Sequence, residues 1–134
     1  MFDPWGTLRA LTHITISWVR MPDGQPGRTD GRGVIWLDKR LQQVERRCTI
    51  THEMIHVERG HDGCQRPRIE YQVRAETARR LITIDDLCRH GAWAHNLHEL
   101  AEELWVTPDV AQDRLDTLTD DEKDHLAAVE HQPR

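Results

Sequence analysis

Between residues 52 and 56 the chain reads His52-Glu53-Met54-Ile55-His56. On a helix, two histidines four residues apart sit one turn apart and project from the same face. That spacing suits two imidazole ligands to one zinc ion. Glu53 follows His52 by one residue, about a third of a turn round. From there it can reach a water on the metal without being a ligand. Zinc lowers the pKa of such a water toward neutrality, and Glu53 is placed to take its proton as general base and pass it to a leaving amine. The implied chemistry is hydrolysis of a peptide bond.

A five-residue motif is weak evidence alone, and its neighbours strengthen it. Between Cys48 and Val57 the only ionisable groups besides the thiol are His52, Glu53 and His56. Ile50, Met54, Ile55 and Val57 cover most of the remaining circumference, and a helix apolar nearly all round is a buried one. Burying two imidazoles and a carboxylate is costly unless something compensates them. The plain alternative is an amphipathic helix with solvated His and Glu. Cys48, one turn before His52, reads as a small core residue rather than a metal thiolate.

A catalytic zinc usually has a third protein ligand and one open position. The candidates are Glu70, Glu76, His61 and Asp62. On a helix from Arg68 to Ile82, Val73, Thr77 and Leu81 lie within about 60° of Glu70, which places Glu70 on the buried stripe. Glu76 lies about 120° away beside Arg80, where an i,i+4 ion pair accounts for it. After Gly60 the chain turns back, and Glu70 returns near the level of His56, whereas Glu76 overshoots by about 9 Å. Glu70 is the preferred metal ligand and Glu76 the second choice. In the rival pattern H-E-x-x-H-x-x-G-x-x-H/D, Asp62 is the ligand, but Arg59 occupies the glycine position. Tyr71, His61, His90 and His95 are candidates to stabilise an oxyanion.

The elements that must position these residues follow from local signals. Asp3-Pro4 opens a short helix with Asp3 as N-cap. His13 to Val19 alternates Ile14, Ile16 and Trp18 as a strand does, and Val34 to Leu37 is a second strand. The stretch from Met21 to Gly33, with two Pro and four Gly, reads as a loop, and the two strands are expected to pair as an antiparallel ribbon. Val34–Leu37 is either a core strand or an edge strand on which an extended substrate can pair. Leu41 to Arg59 lacks Gly and Pro and reads as one long helix ended by Gly60. Further helices are expected from Arg68 to Ile82, from Thr83 to Gly91, from Leu97 to Trp105, from Asp109 to Leu118 and from Thr119 onward, the last with Thr119 and Glu122 in capping-box spacing.

Composition bounds the class. The 134 residues are 37% hydrophobic and 31% charged, which suits a globular chain with one modest core. No apolar run approaches membrane-spanning length, and the first residues lack the blocks of a secretory signal. A cytoplasmic location is expected. Cys48, Cys64 and Cys88 form no C-x-x-C pair and read as reduced thiols. Residues 1–96 carry fifteen Lys/Arg and twelve Asp/Glu, a net of +3, while residues 97–134 carry three and eleven, a net of −8. The unit Leu97–Leu118 is compatible with a helix-turn-helix. Its second helix carries Asp109, Asp113 and Asp116 against Arg114, which argues against a DNA groove and for packing or protein docking.

The segment Arg46 to Gly60, with HExxH at its centre, resembles the zinc helix of ImmA/IrrE-type metallopeptidases. The resemblance extends upstream through Val34-Ile35-Trp36-Leu37-Asp38 and downstream through Ala78-Arg79-Arg80-Leu81-Ile82 and Leu100 to Val106. It is strongest to short phage- and actinobacteria-associated members. It implies a zinc-dependent endopeptidase of narrow range, whose substrate in relatives is a helix-turn-helix repressor. It also implies a third ligand on the helix after HExxH. Glu70-Tyr71-Gln72-Val73-Arg74 matches that pattern at Glu70 and loosely at Val73, and Arg74 stands where Asn or Asp is usual. The fold expected is α+β: a mainly helical zincin-like core over residues 1–90 with a small antiparallel sheet, and a helical, helix-turn-helix-like appendage over residues 91–134 packed on it. The site expected is His52, His56 and Glu70 on Zn2+ with Glu53 as catalytic base. The alternative is a catalytically silent zinc-containing regulator that binds a protein through its acidic C-terminal helices.

Overall fold

A computed structural model describes residues 1–62, 65–91 and 94–130. Helix α1 (Pro4–Ala10) starts where Asp3 accepts a hydrogen bond from the Trp5 N–H at 3.1 Å. Strand β1 (Thr15–Val19) follows, then β2 (Gly27–Thr29) and β3 (Val34–Asp38). The sheet order is β1-β3-β2, with β1 parallel and β2 antiparallel to β3.

This corrects the antiparallel ribbon. The stretch expected to be a loop contributes β2, which crosses to the far side of β3 and returns through a tight turn. The Asp30 carboxylate accepts from the N–H groups of Arg32, Gly33 and Val34 at 2.9 to 3.0 Å. Thr29 Oγ1 donates to the Val34 carbonyl and accepts from the Gly31 N–H. Because β2 and β3 form the hairpin, β1 is left to run parallel to β3. A Cβ on Gly27 would lie 2.7 Å from Thr49 Cγ2, so only glycine lets β2 lie this close to the next helix.

That helix, α2 (Gln43–Glu58), carries HExxH. Glu45 accepts from the Gln42 N–H at its start. Ile50 and Met54 on α2 pack with Ile35 and Leu37 of β3 and Leu8 of α1, all buried. Cys48 belongs to a second cluster with Leu81, Ile82, Leu87, Leu100, Leu104 and Val106. The long helix is therefore covered by the sheet on one side and by later helices on the other.

Those helices are α3 (Pro67–Leu81), α4 (Ile84–His90), α5 (Leu97–Leu104), α6 (Pro108–Asp116) and α7 (Asp120–Glu130). The expected capping box of α7 is present between Thr119 and Glu122. Arg47 on α2 donates to the carbonyls of Phe2 and Trp105, tying both the first residues and the end of α5 to the centre. Trp105 itself takes a left-handed conformation with φ 56°. Arg114 of α6, 2% exposed, donates to the Ile82 carbonyl and pairs with Glu122. Among the described residues no helix is long and apolar enough to cross a membrane.

Candidate metal centre

The two histidines of α2 meet Glu70 of α3 at one point. His52 Nε2 and His56 Nε2 are 3.2 Å apart, and each lies 3.3 Å from Glu70 Oε2. Donor atoms about 2.0–2.1 Å from a tetrahedral zinc stand about 3.3 Å from one another. The three side chains thus fit such an ion. They are the only cluster of metal-ligating groups among the described residues. His56 is buried, His52 and Glu70 partly so.

The local sequence produces this placement directly. His52 and His56 share a face of α2 by their i,i+4 spacing. The helix stops at Gly60, whose φ of +67° turns the chain back. Pro67 then starts α3 at its first turn, and Glu70 arrives one turn into it. Glu70 keeps 34% of its side chain exposed, on the cleft side of a stripe formed by the buried Val73, Thr77 and Leu81.

Burial lowers the pKa of His52, with His56 adding to the effect, and burial lowers that of His56 too. Both rings are thereby kept neutral, the state in which imidazole offers a lone pair. Glu53 is buried and lines the same cleft. Desolvation, with a smaller contribution from the charge on Glu70, raises its carboxyl to about 8.

The other ligand candidates lie elsewhere. Glu76 pairs with Arg80 at 3.2 Å, as its helical position suggested, and approaches Arg59. Asp62 is two-thirds exposed and faces Arg32 at 3.5 Å. His61 Nδ1 lies 3.0 Å from His56 Nδ1, behind the cluster rather than in it. Among the oxyanion candidates, Tyr71 is 55% exposed, His90 approaches Glu103, and His95 lines a separate apolar hollow under α4 and α5. None of the three lines the cleft. Cys48 does line it, and burial raises its thiol pKa, as suits a protonated core residue. Cys64 lies outside the described residues.

The cleft has a volume of about 510 Å³. One wall is β2, the edge strand of the sheet, whose outer edge pairs with no other strand among the described residues. Of the two roles open to Val34–Leu37, core strand or edge strand, the structure gives it the central place in the sheet. The opposite wall comes from the C-terminal helices, through Thr107, Asp109, Val110 and Asp113. Arg74 stands one turn beyond Glu70, and Asp113 holds it by two hydrogen bonds of 2.6 and 3.2 Å. Among the described residues Arg28 of β2 and Arg74 are the cations lining the cleft, and the sequence assigned a site role to neither. Comparison with protein-family models, curated proteins and solved structures gave no match.

Proposed function

We propose that this chain is a zinc-dependent endopeptidase that cuts a specific protein, with a helix-turn-helix repressor as the substrate class. The observation that carries the reading is the 3.2–3.3 Å mutual spacing of His52, His56 and Glu70, with the buried Glu53 beside them in one cleft. The repressor rests on the resemblance to ImmA/IrrE-type metallopeptidases. His52, His56 and Glu70 would hold the ion, and three protein ligands are the usual complement of a catalytic zinc. Bound zinc supplies Lewis acidity that polarises a carbonyl and makes water nucleophilic near neutral pH.

The protein's own groups do the rest. Glu53 lies beside this cluster, where a bound cation would favour its ionised form and so its work as a general base. Glu53 then accepts the proton of the attacking water and returns it to the leaving nitrogen. The free edge of β2 offers main-chain hydrogen bonds to an extended substrate. Arg28, on the cleft wall, is the side-chain cation that can meet a developing oxyanion, since Arg74 is held by Asp113.

Two other readings draw less support. A silent regulator would dock a partner through its acidic helices, yet Asp113 and Glu122 already spend their charge on Arg74, Arg79 and Arg114. For DNA binding, α6 has Arg114 as its one cation, and Arg114 is buried.

The test compares wild type with Glu53→Gln, using metal analysis and incubation with a helix-turn-helix repressor encoded beside it. About one zinc per chain in both, and cleavage by the wild type alone, are expected. Native protein without zinc, or a Glu53→Gln variant that still cleaves, would overturn the peptidase reading.

A further inference from the structure

His56 is engaged at both ring nitrogens. Its Nε2 belongs to the metal cluster, and its Nδ1 lies 3.0 Å from His61 Nδ1. The two rings are 5.2 Å apart between centroids, at 63°. This contact fixes tautomers. A neutral ring that offers the Nε2 lone pair to a metal carries its proton on Nδ1. That proton points at His61 Nδ1, which must accept it. His61 therefore carries its own proton on Nε2.

Two pieces of backbone hold His61 there. The first is the end of α2. The His61 N–H donates to the His56 carbonyl at 2.9 Å, and the Gly60 N–H to the Val57 carbonyl at 3.1 Å. These are the two bonds of a Schellman closure, and Gly60 supplies its left-handed residue. Residue 61 is tied to residue 56 through main chain and side chain alike. The second is the β2–β3 turn. Gly31 has φ +74°, and a Cβ there would lie 2.2 Å from the His61 carbonyl oxygen. Arg32 beside it reaches Asp62. The turn therefore packs directly against the main chain of His61.

We propose that His61 is a positioning residue that orients His56 and sets its tautomer for metal binding, with Gly60 and Gly31 as the backbone conditions for its placement. The proposal rests on reading His52, His56 and Glu70 as a metal site. Outer partners of histidine ligands are commonly carboxylates, carbonyls or water; in this chain a second imidazole takes that place.

The experiment measures zinc affinity by competition with a chromogenic chelator, and the visible absorption of the cobalt(II)-loaded protein. The proteins are wild type, His61→Ala, His61→Asn and His61→Gln. Asn places an amide oxygen near the position of Nδ1, whereas Gln places its amide near Nε2. His61→Ala and His61→Gln are expected to bind zinc ~10- to 100-fold more weakly, with a changed cobalt spectrum, and His61→Asn within about threefold of wild type. Far-UV circular dichroism checks that each variant folds, and His61→Gln carries the comparison if His61→Ala does not. Equal affinity in wild type and the folded variants would remove the role of His61 and leave the metal site standing. A loss in His61→Asn as large as in His61→Gln would also overturn it. A wild type that binds no zinc would overturn both readings.

Discussion

Replacing Glu122 by Gln tests how the C-terminal helices are held against the part of the chain that carries His52, His56 and Glu70. Glu122 accepts from Arg114 at 2.5 Å, from Arg79 at 2.9 Å and from the Thr119 N–H at 3.0 Å. Together these lower its carboxyl from 4.5 to about 2, the Arg114 hydrogen bonds being the largest cause. A difference of about 2.5 units corresponds to about 3 kcal/mol at neutral pH. The carboxylate is 14% exposed, and screening by solvent reduces the expected loss to about 2 kcal/mol. The sign follows from the depressed pKa. The folded state gains fully above pH 4.5, and the gain fades as pH falls toward 2. Urea unfolding of the metal-free protein, followed by far-UV circular dichroism at pH 7, 5 and 3, reads this out. The gap between wild type and Glu122→Gln should be about 2 kcal/mol at pH 7 and fall to about 1 kcal/mol or less at pH 3. A gap below about 0.5 kcal/mol at pH 7 would show that the ion pair does not anchor α7. An equal gap at pH 3 would show that packing of the amide, not charge, sets the loss.

Other variants separate the site from its surroundings. Glu70→Ala removes one of three donors and should abolish tight zinc binding in a chelator competition, while Glu76→Ala should leave zinc affinity unchanged and cost less than about 1 kcal/mol, since it breaks a partly exposed ion pair. Zinc at a thousand times its Kd should stabilise wild type by about 4 kcal/mol, seen as a higher midpoint in thermal unfolding, and Glu70→Ala should show no such rise. Met54→Ala empties space between α2 and the sheet and should cost about 2–5 kcal/mol in urea unfolding.

The sequence made the constellation legible because a helix converts residue number into angle. His52 and His56 share a face by spacing, and Glu70 is separated from Glu76 by its angle to Val73 and Thr77. What periodicity cannot reveal is pairing between distant segments. Gly27-Arg28-Thr29 is too short to alternate, and its glycine reads as a turn signal, so β2 and the parallel β1–β3 pair stay hidden. Asp109 and Asp113 read as acidic residues of a packing or protein-docking helix. The partner of Asp113 is Arg74, 39 residues away, and only tertiary structure makes the two into one wall. His61 entered as a ligand or oxyanion candidate. Its actual place is set by the Gly60 closure, a signal present in the sequence but first read as a helix stop.

The separation of the cluster from that wall along the chain bears on synthesis. His52, His56, His61 and Glu70 fall within nineteen consecutive residues, so bringing them together closes only a short loop. Asp109 and Asp113 follow some forty residues later. On a ribosome, which releases residues from the N-terminus first, every potential ligand emerges before the acidic wall of the cleft has been made. Metal capture can thus precede the shape that governs what enters. A truncation before Thr107 leaves the three donors in the chain but without the surface opposite β2.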